Sequence, residues 1–110
     1  MNAKNVKYYD SSALESSAVI SNAPGHLFSI TGYNDNAGAQ FVQIHDAAAL
    51  PADGAVPAIV LTVAAKENFW YELKEIGRFF SNGIVVCNSS TAATKTIGAA
   101  DCWFNAQYDS

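Results

Sequence analysis

The sequence predicts an all-β fold: a single-domain antiparallel β-sandwich, jelly-roll-like, with about eight short strands. Short apolar or alternating segments recur at intervals of about 8–12 residues, which is typical of antiparallel sandwiches and barrels. Turn-forming clusters such as Pro24-Gly25 and Asn34-Asp35-Asn36 separate them. No α/β alternation accompanies these segments, so a parallel sheet with crossover helices is not expected.

The turn-forming clusters define where the expected strands begin and end. They cover residues 18–20, 26–33, 40–46, 58–65, 69–73, 78–80, 83–88 and 101–108. The Asn/Asp/Gly cluster at 34–38 predicts a hairpin between its two flanking strands. Residues 72–76 contain helix formers, but Gly77 ends that pattern, and we expect an extended segment at 78–80 instead.

Alternation within the strands predicts which side chains face the core, because successive side chains point to opposite faces. In the second strand this places Phe28 and Ile30 on one face, and Leu27, Ser29, Thr31 and Tyr33 on the other. In the third strand Val42 and Ile44 point inward, while Gln43 and His45 point outward.

Residues 1–17 differ from the rest of the chain in being polar and poor in large apolar groups. This composition fits an edge strand near residues 6–9, or an arm that becomes ordered only against a neighbour. We therefore expect two parts: an N-terminal arm or edge strand at 1–17 and the β-sandwich domain at 18–110.

Charge is scarce in this chain. Charged residues make up 15% of its 110 residues, against roughly 25% in an average globular protein. A surface with so little charge exposes small polar groups or is covered by partners, and the second option points to an oligomer. The six Lys and Arg residues are scattered and the net charge is −4, so nucleic-acid binding is not expected.

The sequence also indicates where the protein is made. No segment approaches the roughly 18 apolar residues of a membrane span, and no basic-then-apolar signal pattern opens the chain. We expect synthesis in the cytoplasm, no membrane partner, and a final location reached by assembly.

Residues able to do chemistry do not form a recognisable site. His26 and His45 lack the spacing of metal ligands, and the pair His45-Asp46 has no nucleophile context. Glu67, Glu72 and Glu75 cluster near aromatic residues, but a solvated strand face explains them better than glycosidase carboxylates. We expect no enzyme, no metal and no cofactor.

Cys87 and Cys102 flank a Ser/Thr/Ala-rich connection. If their strands pair as a hairpin, a disulfide is geometrically conceivable. Reduced, buried cysteines acting as small hydrophobes are the favoured interpretation for a protein made in the cytoplasm.

Four aromatic residues are candidate interface anchors. Tyr8 and Tyr9 are the prominent aromatic groups of the N-terminal segment, and Trp70 and Trp103 lie in the aromatic runs 69–71 and 103–104. In a strand, Trp70 points away from Phe69 and Tyr71, so at least one large ring should lie off the main core. Such rings are common anchors of subunit interfaces, and Trp70 or Trp103 stacking on a sugar is the alternative.

The run Gly83-Ile84-Val85-Val86-Cys87-Asn88-Ser89-Ser90, together with residues 91–96, Ala100-Asp101-Cys102-Trp103-Phe104 and Gln107-Tyr108, resembles the ending of small structural proteins of tailed bacteriophages. Tyr33-Asn34 and residues 43–47 and 50–57 are similar to the same group, so the resemblance covers roughly residues 30–108. Its motifs mark strands and turns and carry over no functional residues.

This resemblance implies a virion structural protein, foremost a capsid decoration (cement) protein. It would assemble as a homo-oligomer, expected to be a trimer, and bind the major capsid protein or another virion protein. Within the virion, a tail, fibre or head–tail connection component is the alternative. A small carbohydrate-binding β-sandwich module is the alternative from another class.

Overall fold

The computed structural model describes residues 6–110 and contains two antiparallel sheets. Sheet A is ordered β1-β9-β3-β6, with the short β7 also paired to β3, and sheet B is ordered β2-β8-β4-β5. The strands are β1 (Lys7–Asp10), β2 (Ser17–Ser21), β3 (Gly25–Asn34), β4 (Gln40–Asp46), β5 (Ile59–Val63), β6 (Glu67–Glu72), β7 (Arg78–Phe80), β8 (Ile84–Ser89) and β9 (Cys102–Tyr108).

This strand order is that of a jelly roll, in which the chain passes repeatedly from one sheet to the other. Leaving aside the short β7, eight strands form two four-stranded sheets that lie face to face. The predicted sandwich is therefore confirmed. The described chain holds nine strands, one more than expected, and no helix that could cross a membrane.

The core lies between the inward faces of the two sheets. Its fully buried members come from the central strands of both sheets and include Leu27, Ile30, Val42, Ile44, Ile84, Val86 and Phe104. The predicted inward orientation of Val42 and Ile44 is confirmed. Burying these branched and aromatic side chains is the main stabilising contribution to a domain of this size.

The prediction that Phe28 and Ile30 share a face of β3, opposite Leu27, is wrong, because Leu27 and Ile30 both belong to the core. The pairing of β3 with β9 shifts register between Leu27 and Ser29, which indicates a β-bulge. Leu27 is fully buried, whereas Phe28 is only partly buried and borders a surface hollow with Thr31 and Trp70. A bulge adds one residue to a strand, so the alternation of inward and outward side chains that the sequence predicts is shifted by one residue there.

The predicted hairpin at 34–38 is also wrong, because β3 belongs to sheet A and β4 to sheet B. The segment is a corner between sheets, held by the buried Asn34. Its Nδ2 donates to the carbonyl oxygens of Gly38 and Ala64, and its Oδ1 accepts from the Asn36 N–H and the Gln40 Nε2.

The extended segment expected at 78–80 is confirmed as β7. Gly77 precedes it with φ at +70°, a conformation that side chains disfavour. A Cβ there would also overlap the Leu27 carbonyl oxygen and the Phe28 ring. Tertiary packing thus reinforces the break that Gly77 indicates in the sequence.

Candidate interaction surface

The outward face of sheet A carries three of the four aromatic residues singled out in the sequence. Tyr8 stands opposite Gln107, Trp70 opposite Thr31, and Trp103 opposite Tyr33. The exposed fractions are 67% for Tyr8, 72% for Trp70 and 38% for Trp103. Phe69 is buried and Trp70 is exposed, so the expectation that at least one large ring of this run lies off the main core is confirmed.

Tyr9, the fourth residue, faces the other way. It packs against the core, and its hydroxyl lies 2.7 Å from Glu15 Oε1 and 2.9 Å from Oε2. Burial and the neighbouring Glu15 carboxylate raise the pKa of Tyr9 to about 12. Because Ser11 also donates to Glu15, this cluster fastens β1 to the body of the sheet and leaves Tyr8 displayed on the surface.

Two hollows lie beside the Trp70 ring on this face. One, of about 480 Å³, is bordered by Phe28 and Glu72. The other, of about 350 Å³, lies between Trp70 and Trp103. Thr31, in the middle of the central strand β3, borders both. The outward face is thus a polar floor between exposed aromatic rings.

A further exposed aromatic group at the end of this sheet was not singled out from the sequence. Phe79 is 55% exposed and stands opposite His26, with ring centroids 5.3 Å apart. The His26 ring is held by Asp109, whose Oδ1 lies 3.1 Å from Nδ1. Only the pairing of β7 with β3 brings these two rings together, so no sequence spacing indicated it.

The outward face of sheet B is chemically different, because the connection at 90–101 covers part of it. Gln43 points outward as predicted, yet it is fully buried. Its Nε2 donates to the carbonyl oxygens of Thr91, Ala92 and Thr94, at 2.8 to 3.1 Å. One side-chain amide thereby fastens the Ser/Thr/Ala-rich connection to the sheet.

His45 and Lys95 complete this buried polar layer. His45 Nε2 donates to Gln43 Oε1 at 3.0 Å, and burial, with the nearby Lys95 charge, lowers the pKa of His45. Lys95 is only 3% exposed and its ammonium donates to Asp53. These contacts join the connection after β8 to the connection after β4, so the layer is a structural support.

Asp46, the neighbour of His45, holds a turn. Its Oδ1 accepts from the Asn82 and Gly83 N–H groups, and its Oδ2 accepts from Ser81. Burial raises the pKa of Asp46, but these hydrogen bonds outweigh it and leave the pKa below its usual value. Asp46 is therefore a turn residue, whereas His45 belongs to the buried layer.

Cys87 and Cys102 are free and buried. Their strands β8 and β9 lie in different sheets, so the hairpin on which a disulfide depended does not exist. Burial raises the pKa of each thiol to about 11, which keeps both in the unreactive protonated form near neutrality. Within residues 6–110, no group of three or more His, Cys, Asp or Glu side chains is placed to hold a metal ion.

Comparisons with known proteins found a likeness in structure but none in sequence. No protein-family model matches this sequence, and no curated protein matches it significantly. Among solved structures, the coat protein of Tobacco streak virus aligns over 100% of this chain and 90% of its own, with a TM-score of 0.47 and 8% sequence identity. A likeness at this level carries no argument about function.

Proposed function

We propose that this chain is a structural protein of a bacteriophage virion, a capsid decoration (cement) protein that acts by binding and not by catalysis. The observation that carries the proposal is the outward face of sheet A, where Tyr8, Trp70 and Trp103 are exposed on a rigid sheet. The sequence resemblance over residues 30–108 supports the virion setting.

The exposed aromatic rings suit protein contact. Tyr and Trp bury a large area with little loss of side-chain entropy, and they are enriched among interface hot spots. Tyr8 lies on β1, an edge strand of sheet A that carries Lys7 and Asp10 at its ends. Residues 1–5 of the predicted arm lie outside the described residues. We assign capsid contact to the Tyr8 side of the sheet, with Tyr9 holding β1 in place.

Multivalency would supply the cement function. A homo-oligomer, here proposed to be a trimer, places several copies of the Tyr8 surface across neighbouring major capsid protein subunits. Linked contacts raise overall avidity far above that of one contact. Expansion or rupture of the shell would then require several contacts to break together.

Trp70 and Trp103 form a second contact surface. Trp103 lies on β9, next to β1, whereas Trp70 lies on β6, with β9 and β3 between it and β1. In the proposed assembly this second surface serves a partner other than the capsid. The two surfaces can be tested separately because single substitutions on exposed strand positions leave the core intact.

The test measures occupancy of purified capsids by added protein. Tyr8→Ser should lower occupancy, whereas Val56→Ser, on a 76% exposed side chain outside both sheets, is the matched control. Point variants are preferable to deletion of residues 1–11, because that deletion removes β1 from sheet A. Equal occupancy for wild type and Tyr8→Ser would contradict the assigned surface.

Location and assembly need two further measurements. Electron cryomicroscopy of the particle should show copies distributed over the shell, whereas copies at a single vertex would indicate a tail or head–tail connection component. Light scattering of the free protein should give three times the 11.7 kDa chain mass. A monomer at all concentrations would contradict the trimer.

A further inference from the structure

The hollow between Trp70 and Trp103 has a defined geometry. Trp70 on β6 pairs with Thr31, and Trp103 on β9 pairs with Tyr33, so the two rings flank β3 from opposite sides. Two strand spacings and a two-residue offset place their Cα atoms about 12 Å apart. The space between them measures about 350 Å³ and has β3 as its floor.

The lining of this hollow is uncharged. None of its residues is an Asp, Glu, Lys or Arg, so a phosphate, a nucleic acid or an acidic peptide would find no opposite charge. A ligand that matches this lining is itself neutral, because moving a charge from water into an uncharged hollow has no compensating partner.

Its polar groups have hydrogen-bonding capacity left. Thr31 and Asn68 make no side-chain hydrogen bond within residues 6–110, and Asn105 uses one N–H on Asp10 at 2.9 Å. A hydroxyl and two amides therefore point donors and acceptors into a space with a large ring on either side.

The distribution of these groups distinguishes the possible occupants. The centre of a protein–protein interface is apolar and its rim is polar. Here the β3 floor carries the hydroxyls of Thr31 and Tyr33, and the two indole rings stand at the sides. Such a surface fits a ligand with apolar C–H faces and many hydroxyls around its edge.

We propose that the hollow between Trp70 and Trp103 binds a neutral saccharide. The C–H face of a pyranose ring packs against the exposed Trp70 indole, while its hydroxyls exchange hydrogen bonds with Thr31, Asn68 and Asn105. Trp103 closes the other side and contacts the next sugar of an oligosaccharide. This proposal does not depend on the virion assignment, because it concerns the isolated protein.

Titration calorimetry of the wild-type protein tests it with three neutral soluble probes: cellohexaose, maltohexaose and hexa-N-acetylchitohexaose. Concentrations up to about 10 mM detect even a millimolar dissociation constant, which is about 4 kcal/mol of binding free energy. At least one probe should bind and shift the tryptophan emission to shorter wavelength. If none of the three binds, the proposal is wrong.

Variants then locate the site. Trp70→Ala and Trp103→Ala should each weaken binding about tenfold, the change that the loss of 1.4 kcal/mol produces. Phe79→Ala removes another exposed aromatic ring of the same sheet outside the hollow and should leave affinity unchanged. Circular dichroism confirms that each variant is folded.

Two results would overturn the site assignment. Binding that survives in both tryptophan variants would place the saccharide elsewhere. Dissociation of an oligomer in Trp70→Ala, with no saccharide binding by the wild type, would make this face a subunit contact. A loss of capsid occupancy in Tyr8→Ser bears only on the proposed virion function, so the two proposals fail independently.

Discussion

Phe69 and Phe104 lie on the two strands that flank β3, and their rings meet across Gly32 with centroids 6.2 Å apart. Gly32 pairs with both residues, so its missing side chain leaves room for the two rings on the inward face of sheet A. On the outward face, the same stretch of β3 forms the floor between Trp70 and Trp103. One glycine thus serves the core directly beneath the proposed binding surface.

Gly32→Ala should destabilise the protein, because the new Cβ would overlap the Trp103 carbonyl oxygen and the Phe69 ring. Overpacking of this kind costs about 1–3 kcal/mol. Urea unfolding should show a lower midpoint with an unchanged slope. Gly38→Ala is the matched control, since the nearest atom to a Cβ there is Asn36 Oδ1 at 3.4 Å. Equal midpoints for the two variants would contradict the packing argument.

Gln43→Ala should loosen the connection after β8. The substitution removes one amide that donates to three carbonyl oxygens and accepts from His45, and leaving buried groups unpaired costs about 1–3 kcal/mol. Compared with the wild type, hydrogen exchange should become faster at residues 90–97 and stay unchanged in β9. Gln107→Ala, on the exposed face of sheet A, is the control. Unchanged exchange at 90–97 would show that other contacts hold the connection.

The sequence predicted the strands better than their pairing. Alternation located Val42, Ile44 and Trp70 on the correct faces, because inward and outward positions follow from local pleating. It could not distinguish a hairpin from a corner between sheets at 34–38, since both use Asn, Asp and Gly. The side chain of Asn34 stabilises the corner through hydrogen bonds to residues as distant in sequence as Ala64.

The sequence could not predict which outward-facing side chains are buried, or which side chains lie together on the surface, for a related reason. Gln43 and His45 face outward, as expected, but both are buried, and the connection after β8 folds back over Gln43. The hollow between Trp70 and Trp103 likewise exists only because β9 and β6 both pair with β3. The sequence shows each of these side chains, but which side chains lie beside it depends on pairing between strands that are distant in sequence.

His45 should make stability depend on pH. Its pKa in the folded protein is lowered from 6.5 by burial and by Lys95, so the unfolded chain binds the proton more readily. Stability is therefore full above pH 6.5 and falls as the pH drops below it toward the folded pKa. Urea midpoints at pH 7.5 and 5.0 measure this loss. It should shrink in His45→Asn and persist in His26→Gln; the reverse pattern would exclude His45 as the source.

Lys95 and Asp53 should respond unequally to substitution. Asp53→Asn leaves the buried Lys95 ammonium without its carboxylate partner, which is costly because the remaining charge stays desolvated. Lys95→Met removes that charge and fills a similar volume, so it should lower the urea midpoint less. Asp35→Asn, which breaks the exposed pair with Lys66, should change the midpoint very little. A larger loss in Lys95→Met than in Asp53→Asn would contradict this account.

Both thiols should be unreactive in the folded protein. Cys87 and Cys102 are fully buried, and burial raises each pKa to about 11, so neither the access nor the thiolate that a disulfide reagent needs is present at pH 8. Labelling with such a reagent should be complete in urea and negligible without it. Because β8 and β9 lie in different sheets, Cys87→Ser and Cys102→Ser should each leave the remaining thiol equally protected. Rapid labelling of the native protein would show that one end of the sandwich opens without global unfolding.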